Sequence, residues 1–343
     1  MNQVIINDSP HTRGKRTTRG IMLDVIIALI PVTIMGCVYF GWKALVTVIL
    51  SVLSAVLTEF VYLLITKKTL TQIISQFDFT SIITGLLLAL TLNANTPFYV
   101  PVLASIFAIA VTKMMFGGTG KNIVNPAIAG RVFAFIAFTS VMTSNWANVL
   151  VPAIHGEVST GATVLTTLLQ EGLDKVNISN LDLFLGTGVT GCIGETCKIA
   201  LVIGYIYLVI RKVIKWQWPV IYIVVTGLMS VALNKFDFAY FMPSILSGGL
   251  FLGAIFMATD YTTSPHCDKA SYIYYILLGI VTAALRKATS IEVVSFAILL
   301  MNLVVPLLNV YVRPHIFGAP TFIQKVKAKQ QAKKAAKAEK EAK

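Results

Sequence analysis

The chain has 343 residues, of which 56% are hydrophobic and only 13% charged, with a mean hydropathy of +0.78. So little charge cannot cover the surface of a soluble protein of this size; the composition excludes a soluble enzyme and indicates an all-α polytopic membrane protein. The formal charge is +13, but the basic residues stand in short runs beside apolar segments, not in a stripe interleaved with aromatics, so the expected partner is the lipid membrane and no nucleic acid.

Residues 1–20 read as a cytoplasmic N-terminal segment whose basic run, Arg13 to Arg19, precedes an uncleaved first helix. A spanning helix needs ~20 mostly apolar residues. That ruler finds about ten candidates, at 21–41, 44–66, 80–95, 98–116, 127–144, 188–210, 217–234, 242–259, 271–286 and 290–312. They group as membrane helices 1–5 within 21–144 and 6–10 within 188–312, a count that also suits two inverted five-helix halves. Residues 145–187 are the longest connection, and 313–343 are a basic tail. From Gln324 onward the tail holds eight lysines against two glutamates, with no apolar stripe to pack against a core.

With the N-terminus in the cytoplasm, thirteen Lys and Arg residues fall on the inner side before the tail and five on the outer side. Excess positive charge marks the cytoplasmic loops, so both termini are expected inside a multi-pass cell membrane and 145–187 outside it. Two inner stretches rich in small and turn residues, Gly117 to Ala127 and Thr259 to Pro265, face away from that outer segment.

Polar groups inside a membrane are costly and therefore worth following. Gly117-Gly118-Thr119-Gly120-Lys121-Asn122 resembles a phosphate loop only on the surface: Asn122 stands where Ser or Thr would hold magnesium, and no strand precedes it. Asn122 and Asn125 each offer a donor and an acceptor, which suits the edge of a heteroaromatic ring; Asn125 followed by Pro126 suits a helix start equally well. Glu195, at the head of the sixth candidate span, either pairs with Lys198 three residues on or lies on a cation path. Glu59, deep in the second span with no lysine near it in sequence, is a second ion-path candidate. Cys192 and Cys197 are five apart without a neighbouring histidine, so no metal ligand set is expected within the chain, although a cluster shared with a partner subunit stays open. No nucleophile motif occurs, which leaves a transporter, a channel or a redox carrier and no catalytic residue to name.

The stretches Gly117 to Ala127, Thr160-Gly161-Ala162-Thr163, Gly194-Glu195-Thr196, Met257 to Pro265 and Leu299-Leu300-Met301-Asn302 together resemble the D subunits of Rnf ion-translocating ferredoxin:NAD oxidoreductase complexes. They are similar also to the B subunit of the sodium-pumping NADH:quinone reductase. The resemblance runs from the first span to about Pro320. It implies that Thr163 carries covalent FMN through a phosphoester, in a Ser-Gly-Ala-Thr pattern whose serine is Thr160 here, with Gly161 and Ala162 leaving room for the flavin. It implies a flavin transferase that makes this bond outside the membrane, where the charge count independently puts Thr163. It implies riboflavin near the inner face, matching Asn122, Asn125 and Asp260, and other iron–sulfur and flavin subunits as partners. The chain would then be a membrane electron carrier, not catalytic alone, in a translocase moving Na+ or H+. The competing expectation is a solute channel or transporter without a redox cofactor.

Overall fold

The computed structural model describes residues 17–66, 69–143, 146–147, 149–150, 163–173, 178–289 and 291–312. Residues 1–16, the basic tail and Thr160, Gly161 and Ala162 lie outside the described residues.

Two long helices open the chain. Thr17 Oγ1 accepts from Gly20 N (3.2 Å) and starts α1 (Thr18–Phe40); Gly41, at φ 71°, ends it and lets α2 (Trp42–Ile65) turn straight back. Ala28, Leu29, Val32, Tyr39 and Phe40 of α1 join the core, but many of the larger apolar residues of both helices face outward. Leu23, Ile27, Ile30, Ile34 and Val38 of α1 are exposed in i, i+3/i+4 succession, as are Leu45, Ile49, Leu53 and Leu57 of α2. The inward face of α2 carries small and polar residues instead: Ala44, Thr47, Ser51, Ser54, Ala55 and Glu59. An apolar outer face over a small-residue inner face is the pattern of helices that meet lipid and pack closely on one another.

The other elements are α3 (Leu70–Gln76), α4 (Thr80–Leu90), α5 (Tyr99–Phe107), α6 (Pro126–Ala137), α7 (Thr139–Thr143), α8 (Val164–Gln170), α9 (Asn180–Leu185), α10 (Lys198–Ile210), α11 (Gln217–Leu233), α12 (Phe241–Leu246), α13 (Leu250–Leu252), α14 (Asp268–Thr289) and α15 (Val294–Tyr311). Helices α5 and α13 each continue as a wider π-helical stretch, Ala108–Met114 and Gly253–Met257. Among the described residues three helices, α1, α2 and α15, are long and apolar enough to cross a membrane. A fourth apolar unit, Phe238–Leu246 with Leu250–Met257, is bent by 68°, and five shorter apolar helices accompany them. The protein is thus a polytopic membrane protein, and every candidate span of the sequence overlaps a helix.

The sixth candidate departs from expectation. It should begin at 188, but α10 begins at Lys198. Gly186 and Gly188 take left-handed backbone angles (φ 85° and 66°), and the chain from there to Cys197 is irregular yet buried. Its backbone survives at this depth because other groups satisfy it. Ile193 N donates to Leu92 O (3.0 Å) and Gly194 N to Leu90 O (2.8 Å), which also caps the short helix α4.

Close contacts fix the bundle. Ser51 Oγ donates to Gly85 O (2.7 Å) and meets Ser105 Oγ at 2.9 Å, joining α2, α4 and α5. Where α1 crosses α10, a Cβ on Gly204 would stand 2.5 Å from Ala28 O. Gly204→Val should therefore force the two helices apart and cost about 1–3 kcal/mol, as overpacking does. Thermal unfolding of the detergent-solubilised protein should show a lowered midpoint, and a midpoint equal to wild type would refute this close approach.

Candidate functional site

Two interior cavities hold the polar residues that the sequence singles out. The first is lined by Thr163, Thr166 and Gln170 from the start and end of α8, by Arg131 and Phe135 of α6, and by Trp146. The irregular segment before α10 adds Thr190, Cys192, Glu195 and Thr196, and Lys198, Ser247, Gly248 and Glu292 complete the wall around about 280 Å³. Thr163 is held there for a local reason. Its Oγ1 accepts from Thr166 N (3.3 Å) as the N-cap of α8, and Val164 on the next turn packs into a cluster with Leu183, Val189 and Leu246. The threonine is half-buried at this cavity.

Glu195 lines the same cavity, but not as half of a local ion pair. Its Oε1 accepts from Cys192 N (2.8 Å), while Lys198 Nζ donates to the Glu195 backbone carbonyl (2.6 Å). Arg131, placed with the inner charges by counting along the sequence, is buried and reaches this cavity with Nη1 3.7 Å from Cys192 Sγ. Arg286, counted as an outer-loop charge, is 2% exposed: it donates to Ser244 O (2.9 Å) and Ser247 O (3.4 Å) at the break between α12 and α13, and pairs with Glu292 (3.1 Å). Both are interior structural charges, not topology signals.

The second cavity gathers Asn122, Asn125 and Asp260, brought together from stretches more than a hundred positions apart, with Thr80, Lys113, Thr119, Tyr261 and Thr262. Asn125 caps α6 through Oδ1, which accepts from Ala127 N (3.0 Å), and its Nδ2 donates to Met257 O (3.3 Å) at the end of the second π-helical stretch. Asn122 Nδ2 donates to Thr262 Oγ1 (3.0 Å) and to Val124 O (3.1 Å). Asp260 accepts from the hydroxyls of Thr262 (2.7 Å) and Thr263 (3.0 Å). Burial pushes its carboxyl above the ordinary aspartate value, against the pull of those two hydrogen bonds. Asn302, fully buried on α15, ties the two stretches together: with its amide oxygen toward Asn125 N (3.2 Å), its nitrogen donates to Thr263 O (3.3 Å) and Ile298 O (3.3 Å).

Glu59 has a lysine after all. Lys113, in the first π-helical stretch and 54 positions away, lies 2.8 Å from Glu59 Oε1; the lysine also reaches Thr80 Oγ1 (2.6 Å), and Ser81 Oγ donates to the other Glu59 oxygen. Lys113 and Thr80 border the second cavity, so the lysine of the pair stands in its wall with Glu59 behind it. No spacing in the sequence signals this contact, because it is entirely tertiary. Asp24, near the start of α1, is paired with Arg211 (3.1 Å). Among the described residues no group of three or more His, Cys, Asp or Glu side chains is placed to hold a metal ion, and all four cysteines are free.

The two cavities occupy opposite ends of the same helices. Helix α10 starts at Lys198 in the Thr163 cavity and reaches the other at Leu208, and α6 runs the opposite way, from Pro126 at the Asn122 cavity to Phe135 at the Thr163 cavity. At 1.5 Å per residue the separation along the helices is about 15 Å.

The chain matches the family described as NQR2, RnfD, RnfE over residues 5–318. It belongs to that family. It is 38% identical over 94% of its length to 98% of the D subunit of the Na(+)-translocating ferredoxin:NAD(+) oxidoreductase complex of Acetobacterium woodii. It is 34% identical over 92% of its length to 97% of the D subunit of the proton-translocating ferredoxin:NAD(+) oxidoreductase complex of Clostridium ljungdahlii. It is 31% identical over 91% of its length to 98% of the D subunit of the ion-translocating oxidoreductase complex of Escherichia fergusonii. The names of these NQR2, RnfD, RnfE relatives describe subunits of ion-translocating oxidoreductase complexes, not enzymes complete in one chain. Sodium appears in one name and protons in another, so the ion named differs between members.

Proposed function

We propose that this chain is the membrane electron-carrier subunit of an Rnf-type complex, relaying electrons between ferredoxin and NAD in a machine that moves Na+ or H+. FMN is carried by a phosphoester on Thr163, attached by a flavin transferase. The observation that supports this most is the position of Thr163: its half-buried side chain borders an interior cavity instead of standing on an open loop. The residues present suit the group. Thr163 supplies the hydroxyl, Phe135 and Trp146 supply aromatic surface, and Gln170, Thr166 and Thr190 supply polar contacts on the same wall. FMN supplies transfer of electrons one at a time when bound. What the protein itself contributes is a fixed attachment point, exclusion of bulk water and a bundle that keeps both cavities on shared helices.

Asn122, Asn125 and Asp260 at the second cavity suit riboflavin held without a covalent bond, and the positive-inside count assigns that end to the cytoplasm. Asn122→Ala, which removes the contact to Thr262, should lower the riboflavin released on denaturing the purified protein while leaving the covalent flavin untouched. Equal release from variant and wild type would take Asn122 out of that site. Glu59 and Glu195 are the carboxylates proposed for the ion path, Glu195 on the wall of the Thr163 cavity and Glu59 paired with Lys113 of the other.

Helices broken inside the bundle, such as α12 and α13, are also a feature of solute transporters. One experiment separates the two readings: the chain, produced with its flavin transferase, is run on a denaturing gel and viewed under ultraviolet light. A fluorescent band at the position of this chain is expected; its absence would leave the transporter reading in place.

A further inference from the structure

Among the described residues, the wall of the Thr163 cavity carries two buried cations that no carboxylate meets at ion-pair distance. Its charged lining among the described residues is the cations Arg131 and Lys198 and the carboxylates Glu195 and Glu292, and Arg286 stands behind the wall on Glu292. Of these cations only Arg286 has a carboxylate partner among the described residues, Glu292. Arg131, 8% exposed, meets the Cys192 thiol, and Lys198, 1% exposed, donates to a backbone carbonyl. Glu195 does not reach either within ion-pair distance, because its carboxylate is turned to Cys192 N. On the same wall the hydroxyl of Thr196, itself 1% exposed, is buried without a hydrogen-bond partner among the described residues. Buried charges unbalanced by a counter-charge are costly, and a guanidinium offers five donors in a fork suited to phosphate.

We propose that Arg131 and Lys198 form an anion seat for a phosphoester group, with Thr196 as an additional donor, and that this seat takes the phosphate of the Thr163-linked flavin. The identity of the phosphate rests on the Thr163 reading, and its location rests on the two buried cations and the Thr196 hydroxyl. The carboxylates do not make this a cation site, because Glu292 is already paired with Arg286 and Glu195 accepts from Cys192 N. Arg131 and Lys198 would face the single negative charge of a phosphodiester.

The test uses the full-length chain produced without flavin transferase and kept in saturating riboflavin, so that the Asn122 cavity is filled. Adding FMN should raise the thermal unfolding midpoint further, and inorganic phosphate in excess should reduce that gain by competition. In Arg131→Gln and in Lys198→Gln the FMN concentration needed for the same rise should increase roughly tenfold or more, the loss expected for a charged hydrogen bond. The seat is overturned if FMN gives wild type no rise beyond riboflavin, a comparison that needs no variant to fold, or if both variants respond like wild type. Inorganic phosphate stabilising as well as FMN at equal concentration would overturn its assignment to the flavin. Failure of the Thr163 reading is separate: it shows as a missing fluorescent band when the transferase is present, whatever the unloaded chain binds.

Discussion

Thr163→Val should abolish the fluorescent flavin band completely, because valine keeps the shape of threonine but has no oxygen to bond the phosphate. Two effects must be separated. The Thr163 hydroxyl also caps α8, and losing an N-cap costs about 1 kcal/mol. Thr163→Asn provides the control: asparagine caps helices well but cannot form the ester, so it too should give no band while the protein folds normally. Thr160→Ala, three positions earlier and away from the proposed bond, should only weaken the band. Complexes carrying the Val or Asn variant should assemble but pass no electrons from ferredoxin to NAD. Wild-type fluorescence in Thr163→Val would move the attachment site elsewhere on the chain.

Lys113→Met should be among the most destabilising single substitutions in the bundle. It leaves Glu59 at 8% exposure with its cation removed, and breaking one side of a buried pair typically costs about 3–5 kcal/mol. Ser81 would still donate to one carboxylate oxygen, but a hydroxyl does not replace a charge. The unfolding midpoint should fall sharply. Combining it with Glu59→Gln should restore most of the loss, since the amide keeps the hydrogen bond and carries no charge. The non-additivity is the diagnostic, and losses that simply add would show that the two residues do not act as a pair. Glu59→Gln alone addresses function: placed in the whole complex, it should lower ions moved per electron, and an unchanged ratio would remove Glu59 from the ion path.

Some of the neighbouring electrostatics is legible only in three dimensions. Asp78, just before α4, would be raised by burial, yet hydrogen bonds from Thr119 and Thr80 and the charge of Lys113 hold it below the usual aspartate value. A second acidic group is therefore kept ionised near Lys113, and no spacing in the sequence announces it.

The sequence alone was enough to determine that this is a helical membrane protein, because membrane residence is written in the number of apolar residues in a row. Each of its ten candidate segments overlaps a helix, while the short helices α3, α8 and α9 fall outside them. The sequence also singled out Asn122, Asn125, Glu59 and Glu195, because polar residues within or beside apolar segments are conspicuous, whereas Thr163 and Asp260 gained their expected roles from the family resemblance. The irregular run before α10 escaped it: residues 188–197 have few charges and read like a helix, and only their pairing with Leu90 and Leu92 makes a non-helical course tolerable. Partners escaped it as well. Arg131 and Arg286 look like loop charges when counted along the chain, yet they are interior groups whose neighbours come from other elements. Tertiary packing alone decided that Lys113 answers Glu59, that Asn122 meets Thr262, and that Thr163 shares a cavity with Arg131 and Lys198. The physical reason is the same in each case: hydropathy is a sum over neighbours in sequence, whereas the balance of buried charge is set by neighbours in space.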